Sequence, residues 1–316
     1  MLATVVLVIY VSPACTPYIE TPHIGGYEIS GPFVDANLEI NVRAIINKRH
    51  GALLAADLEK LTSLDARGIT DLSGLEGCVN LTTLILQGNI NDISPLASLN
   101  KLNVFSLTHS PTSDISPLDI SPLASLTNLE SLTINSCQIS DVSPLASLSQ
   151  LNALDLIANQ ISDILPLASL TNLESLALYA NQINDISPLA SFIKLTSLCI
   201  GGNQISDISP LASLSKLNVL DISANPISDI SPLASLTNLH SLNLGHCLIW
   251  DISPIATLTK LTWLSLIYNP FSDISPLASL PVLEKLYTYP NTLDENSEKI
   301  IIPELKKRGV KVFRSP

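Results

Sequence analysis

Leu129, Leu151, Leu173, Leu195, Leu217, Leu239, Leu261 and Leu283 follow one another at intervals of 22 residues without a slip. Few features restrict a fold more. A chain of equal units buries its apolar surface only by stacking each unit on the next, so its core is a column and not a sphere. Inside each unit the apolar residues first alternate. In LESLALY (residues 173–179), Leu176 and Leu178 face one side, whereas Ser175, Ala177 and Tyr179 face the other. That is a short half-buried strand, and successive strands stack in parallel at ~4.8 Å. Ten or so turns predict a sheet ~50 Å long by that spacing.

Each unit opens L-x-x-L-x-(L/I)-x-x-(N/C)-x-(I/L/F), as in LNALDLIANQI over residues 151–161. This is the leucine-rich-repeat signature, in which a strand on the inner face of a horseshoe ends in a turn closed by the Asn. The slot holds Asn89, Asn159, Asn181, Asn203, Asn225, Asn269 and Asn291, with Cys137 and Cys247 as permitted substitutes. A buried Asn there can bond backbone groups that the turn leaves unpaired, each worth ~1–3 kcal/mol if left unsatisfied. The predicted fold is an α/β repeat solenoid, a leucine-rich-repeat horseshoe with a parallel inner β-sheet and short outer helical segments.

The second half of the unit, SDISPLASL (residues 228–236), predicts a turn and one helical segment. Ser231 is placed as N-cap and Pro232 at the first helical position. Ile230, Leu233 and Leu236 are expected to pack inward. The column Asp92, Asp114, Asp141, Asp163, Asp185, Asp207, Asp229, Asp251 and Asp273 offers one carboxylate per turn. One per turn suits turn capping, whereas calcium needs several converging from a single loop. One unit is longer. DISPLDISPL (residues 114–123) duplicates itself and makes that turn 27 residues long, yet the next strand begins in register at Leu129, so the extra residues are expected to bulge from the outer face.

An open solenoid exposes apolar ends and needs caps. Upstream, FVDANLEINVRAIINK (residues 33–48) reads as an amphipathic helix with Asp35 as N-cap and Leu38, Val42, Ile45 and Ile46 on one stripe. A shorter segment, AADLEKL (residues 55–61), follows. Downstream, DENSEKIIIPELKKRG (residues 294–309) predicts a helix interrupted near Pro303 and stopped by Gly309, and VKVF (residues 310–313) a final strand. At the start, Leu2 to Val11 is an uncharged apolar run of ten residues, too short to cross ~30 Å of hydrocarbon as a helix. It matches the apolar region of a secretion signal, with Ser12-Pro13-Ala14 ahead of a cleavage point and Cys15 as a candidate for lipidation. No Lys or Arg precedes the run. The expected division is therefore a signal at 1–15, a linker at 16–32, a helical cap at 33–60, repeats at 61–282, and the last repeat with its C-terminal cap at 283–316.

The cap leading into ITDLSGLEGCVNL, followed by repeated ISDISPLASLTNL, resembles the internalin-type leucine-rich-repeat proteins of bacteria over about residues 33–313. The resemblance implies an extracytoplasmic protein whose curved sheet binds another protein. No immunoglobulin-like module or Leu-Pro-x-Thr-Gly anchor follows the repeats in these residues, so an adhesin or invasin role is not implied.

Catalytic vocabulary is sparse. The five histidines are scattered, with His109 about six repeats, roughly 30 Å, from His240 and His246. No phosphate-cradling Gly loop or nucleophile elbow is present. No enzyme activity, metal or other cofactor is expected. The net charge is −12, and the only local basic cluster is Lys306-Lys307-Arg308, so nucleic acid is not an expected partner. Cys78, Cys137, Cys199 and Cys247 lie in separate repeats, too far apart for disulfides.

What remains is the outward face of the sheet. Its positions are mostly small, including Ser131, Thr133, Asn135, Ser175, Ala177, Ser197, Gly201, Ser223, Ser241 and Gly245. Against them stand Asp155, Ile157, Tyr179 and Asp221, then Trp263, Ser265, Ile267, Tyr268, Lys285, Tyr287 and Tyr289. Aromatic side chains anchor interfaces, so the Trp263–Tyr289 cluster is the first candidate for partner contact and the acidic middle the second. The competing reading is that these rings cover the end of the array. The expected protein is a monomeric protein-binding module, with a cytoplasmic scaffold regulating an enzyme, or a glycan binder, as alternatives.

Overall fold

The computed structural model describes residues 31–108 and 117–314. Two helices, α1 (Ala36–Ile45) and α2 (Ala55–Leu58), precede a single sheet. Its strands are β1 (Ser63–Arg67), β2 (Thr83–Gln87), β3 (Val104–Thr108), β4 (Ser131–Asn135), β5 (Ala153–Asp155) and β6 (Ser175–Ala177). They continue with β7 (Ser197–Cys199), β8 (Val219–Asp221), β9 (Ser241–Asn243), β10 (Trp263–Ser265), β11 (Lys285–Tyr287) and β12 (Lys311–Phe313). All are parallel and follow chain order. Helix α3 (Ile302–Lys307), entered through a π-helical turn over Ser297–Ile301, lies between β11 and β12. This is a leucine-rich-repeat horseshoe. No helix among the described residues is long and apolar enough to cross a membrane.

The alternation holds along the whole sheet. Leu154, Leu176, Leu198, Leu220, Leu242, Leu264 and Leu286 point inward at 0–2% exposure and pair in register from strand to strand. Each repeat adds an inward series of four large apolar side chains such as Ile205, Ile208, Leu211 and Leu214, all buried. At ~1.5–3 kcal/mol per fully buried aliphatic side chain, one such series outweighs any polar contact in its repeat. The long third turn leaves the register intact, because Val104 still faces Ser131. The second copy of the duplicated phrase makes the outer turn, at Ser121–Ser125. The expected bulge, with Asp114 and His109, falls on residues outside those described.

The outer segments differ from the expected helices in two respects. They are single 3₁₀ turns, and their cap is not the serine. In Ser231–Ser235 the first N–H, that of Ser231, donates to Asp229 Oδ1 at 2.8 Å. Pro232 is thus the second residue of the turn. A five-residue segment is too short for an α-helical cap, and an Asp two residues upstream closes it as an Asx-turn. The last serine of each turn has a role that periodicity did not suggest. Ser235 Oγ donates to Ala212 O of the preceding repeat at 3.0 Å, and Ser147, Ser169, Ser191, Ser213 and Ser279 repeat the link. Adjacent outer turns are thereby tied along the convex face.

At the N-terminal end Asp35 caps α1 through Asn37 and Leu38, while its other oxygen accepts from the Thr70 N–H and hydroxyl beyond β1. Leu38 and Val42 are buried as expected, but Ile45 is 41% exposed. It is the last residue of α1. The second buried row of α1 is instead Glu39 and Arg43, a 2.7 Å ion pair with neither side chain exposed. Residues 48–51 wrap over it, and Arg43 Nη1 donates to Lys48 O and Gly51 O.

Candidate functional site

The concave face is three columns wide, one for each outward position of a strand. At the strand starts run Ser175, Ser197, Val219, Ser241, Trp263, Lys285 and Lys311. The middle column runs Asp155, Ala177, Cys199, Asp221, Asn243, Ser265, Tyr287 and Phe313. The third, just past the strands, holds Ile157, Tyr179, Gly201, Ser223, Gly245, Ile267 and Tyr289, still laddered through bonds such as His246 N–H to Ile267 O.

What holds these columns flat is the Asn slot beneath their far end. Asn203 is 8% exposed, its Nδ2 donates to Leu178 O and Ile200 O at 3.0 Å, and its Oδ1 accepts from Ile183 N–H at 3.0 Å. Asn159, Asn181, Asn225, Asn269 and Asn291 bond the carbonyl of the preceding repeat in the same way. Where Cys247 stands instead, its thiol makes long contacts to Ile222 O and Gly245 O, and the Ile227 N–H turns back to Asn225 O. Cys137 Sγ lies 3.3 Å from Asn135 O, and its N–H donates to Asn159 Oδ1. Asn89, at the N-terminal end, buries an Oδ1 with no partner among the described residues.

The residue before most slots takes a left-handed conformation, with φ between 52° and 65° at Ser136, Ala158, Ala180, Gly202, Ala224, His246 and Tyr268, whereas Gly88 and Pro290, ahead of Asn89 and Asn291, do not. Tyr268, expected on the face of the strand, is therefore one step past it, on the rim. The reason is the left-handed turn at Tyr268, which carries the chain off the strand just ahead of Asn269.

The acidic middle is committed to its own scaffold. Asp221 Oδ1 accepts from the Ser223 N–H and hydroxyl at 2.9 and 2.6 Å, and its Oδ2 from Asn243 Nδ2 at 3.0 Å. Burial holds the Asp155 carboxyl above its usual range, against the pull of Asn135 and the Ile157 N–H. Burial, then the charge of Asp221, raises the Tyr179 hydroxyl, and the Cys199 thiol is pushed up to about 12 chiefly by burial. Tyr179 lies down over Gly201, where a Cβ would sit 2.9 Å from its ring. Asn135, Ser223 and Ser265, expected outward, are buried in this packed surface. Asp155 and Asp221 are three strands apart, about 14 Å, and do not form one site.

The aromatics form two groups. Trp263 and Tyr287 meet at 5.5 Å, and Tyr287 stacks on Phe313 at 4.4 Å and 8°. On the rim, Tyr268 stacks on His246 at 4.3 Å and meets Tyr289 edge-on at 6.4 Å. Sequence reasoning missed Phe313 and His246 as members. The register of the final strand places Phe313 beside Tyr287, and that strand's alternation was legible, but its alignment with β11 was not. The end of the core is closed separately by Ile301, Ile302, Leu305 and Val310, all buried, while Tyr268, Tyr289 and Phe313 remain 45%, 36% and 39% exposed. Trp250 and Leu248, 73% and 54% exposed, lie outside these two groups. Among the described residues no three of His, Cys, Asp or Glu come together as metal ligands.

The model of a family of leucine-rich repeats, taken two copies at a time, matches residues 59–98, 193–235 and 217–257. A search of curated protein sequences finds no match. Among solved structures, the internalin inlF from Listeria monocytogenes aligns over 89% of this chain and 89% of its own, at 36% identity and TM-score 0.75. The internalin C2, inlC2, from the same organism covers 67% of this chain and 94% of its own, at 41% identity and TM-score 0.63. A TLR13–ssRNA13 complex shares the fold at 24% identity and TM-score 0.64, over 85% of this chain and 42% of that one. With its 22-residue unit, its helical N-terminal cap and these likenesses, the chain belongs to the internalin-type bacterial leucine-rich-repeat proteins.

Proposed function

We propose that the protein is a non-enzymatic, extracytoplasmic binding module that takes a protein partner on the C-terminal third of its concave face. The observation that carries this reading is the pair of aromatic groups. Tyr268, Tyr289 and Phe313 stay exposed and Trp263 and Tyr287 half-buried, although the core end is already closed by aliphatic side chains. Contiguous exposed aromatic surface on a rigid sheet is the usual energetic centre of an interface. The middle of the face argues the other way, since the carboxylates of Asp155 and Asp221 are occupied by neighbours. Location rests on the apolar run Leu2–Val11, with the mature chain starting at or near Cys15 and a lipid there as the candidate membrane attachment.

Two measurements test the proposal. Fractionation of the native host with N-terminal mass analysis should recover a chain lacking Met1–Ala14, whereas an intact chain in the cytosol contradicts the location. Trp263→Ala and Tyr287→Ala should each weaken capture of the partner by at least ~2 kcal/mol, roughly thirtyfold. Ser131→Ala and Ser175→Ala, on the same face, should bind normally. If the aromatic variants bind as wild type while Asp155 and Asp221 variants do not, the contact lies in the middle of the sheet.

A further inference from the structure

Lys285 and Lys311 are register partners on β11 and β12, both exposed and both on the concave side. Register partners on adjacent strands are ~4.8 Å apart, and like charges so placed repel. Of the other cations of this end, Lys299 pairs with Glu295 and Arg314 with Glu298, while Lys306 and Lys307 lie on α3, away from the strands. Lys285 and Lys311 have no ion-pair partner among the described residues. Trp263 continues their column and Tyr287 with Phe313 fills the next one. A chain with net charge −12 thus places two cations without an ion-pair partner beside the rings of Trp263, Tyr287 and Phe313.

We propose that this patch selects an acidic segment of a partner protein, in which a carboxylate bridges Lys285 and Lys311 while a neighbouring aromatic or apolar side chain packs on Tyr287 and Trp263. This rests on the concave-face reading above and adds the chemistry of the partner. The physical case is complementarity. A carboxylate lying between two ammonium groups removes their mutual repulsion, and the rings alongside exclude water and raise the effective strength of the pairing. The acidic middle of the same face repels such a segment and so confines it to the last strands. Glu284 flanks the patch, exposed at the entry of β11, and sets its acidic border.

The test uses the full chain carrying Trp250→Phe, which leaves Trp263 as the reporting fluorophore. The probes are short synthetic peptides alternating Asp with Tyr, Asn with Tyr, or Lys with Tyr, and heparin as a sulfated glycan. At low salt the Asp–Tyr peptide should bind about tenfold more tightly than the Asn–Tyr peptide, and added salt should erase that difference. Lys285→Ser with Lys311→Ser should abolish the preference and leave Asn–Tyr binding unchanged. Lys285→Glu with Lys311→Glu should invert it toward the Lys–Tyr peptide, a reversal that misfolding cannot produce. Equal binding of the Asp–Tyr and Asn–Tyr peptides, both lost in a Tyr287→Ala variant, overturns the acidic-segment proposal and leaves the binding-face reading standing. Preferential binding of heparin that survives Tyr287→Ala overturns it in favour of a glycan. No saturable change with any peptide overturns it as well.

Discussion

At the scale of single residues the decisive position is the Asn slot. Asn203 shares Leu178 O with Asn181 and Ile200 O with Asn225, and it alone satisfies the buried Ile183 N–H, so its bonds run across repeat boundaries. Asn203→Ala is therefore expected to cost ~1–3 kcal/mol. Cys247→Ala should cost less, because the Cys247 repeat has already rearranged, with Ile227 N–H bonded to Asn225 O. Its thiol, pushed up to about 11 mainly by burial, acts as a small apolar group. Denaturant midpoints of the two variants check this, and equal losses would mean that the amide's bonds contribute little. The sequence pattern identified the slot because it recurs. It gave no sign of the buried Glu39–Arg43 pair, since a Glu and an Arg four apart on a helix read as an exposed pair until something packs over them.

At the scale of elements, the outer turns depend on their Asp caps. Asp141, Asp185, Asp207 and Asp229 are held below the usual carboxylate range, first by the N–H of the serine two residues on and then by its hydroxyl. A carboxylate whose folded pKa is depressed contributes stability that is complete above its unfolded value, about 3.9, and is lost as pH falls through the folded value. The array should accordingly soften as pH drops below about 4. Replacing these four residues with Asn keeps an acceptor oxygen at every pH. That variant should be slightly weaker at pH 7 and lose less between pH 5 and pH 3. An unchanged acid response in urea melts would remove the caps from the account. The Asp column was legible as capping from its spacing, but assigning the cap to Ser231 was not correct, because the length of the outer turn is settled by how closely neighbouring repeats approach.

At the scale of the whole molecule, stability is a sum over interfaces between adjacent repeats. Residues 203–224 form one such unit, with β8 joined in matching register to β7 and β9. Their deletion should leave a shorter array that unfolds cooperatively, with a denaturant slope reduced by roughly a tenth. Deletion of residues 203–213 alone removes half a period and should prevent folding beyond that point. The first variant should also retain peptide binding, because Trp263, Lys285, Tyr287 and Lys311 keep their mutual positions. Circular dichroism melts and the fluorescence titration read both outcomes.

The division between sequence and structure follows from periodicity. Inside the array each residue contacts its counterpart one repeat away, so the interval of 22, the inward leucines and the outward positions of Asp155, Tyr179, Asp221, Trp263 and Tyr287 were readable from the chain alone. Tertiary structure decided whatever breaks that rule. β12 follows β11 by 26 residues through a π-turn and α3, and only the path of that excursion sets Lys311 beside Lys285 and Phe313 on Tyr287. The N-terminal cap is likewise aperiodic, and the burial of Arg43 depends on where residues 48–51 return. Repetition writes its contacts into the sequence, whereas the two ends, which have no repeat to copy, acquire theirs only when the chain is folded around them.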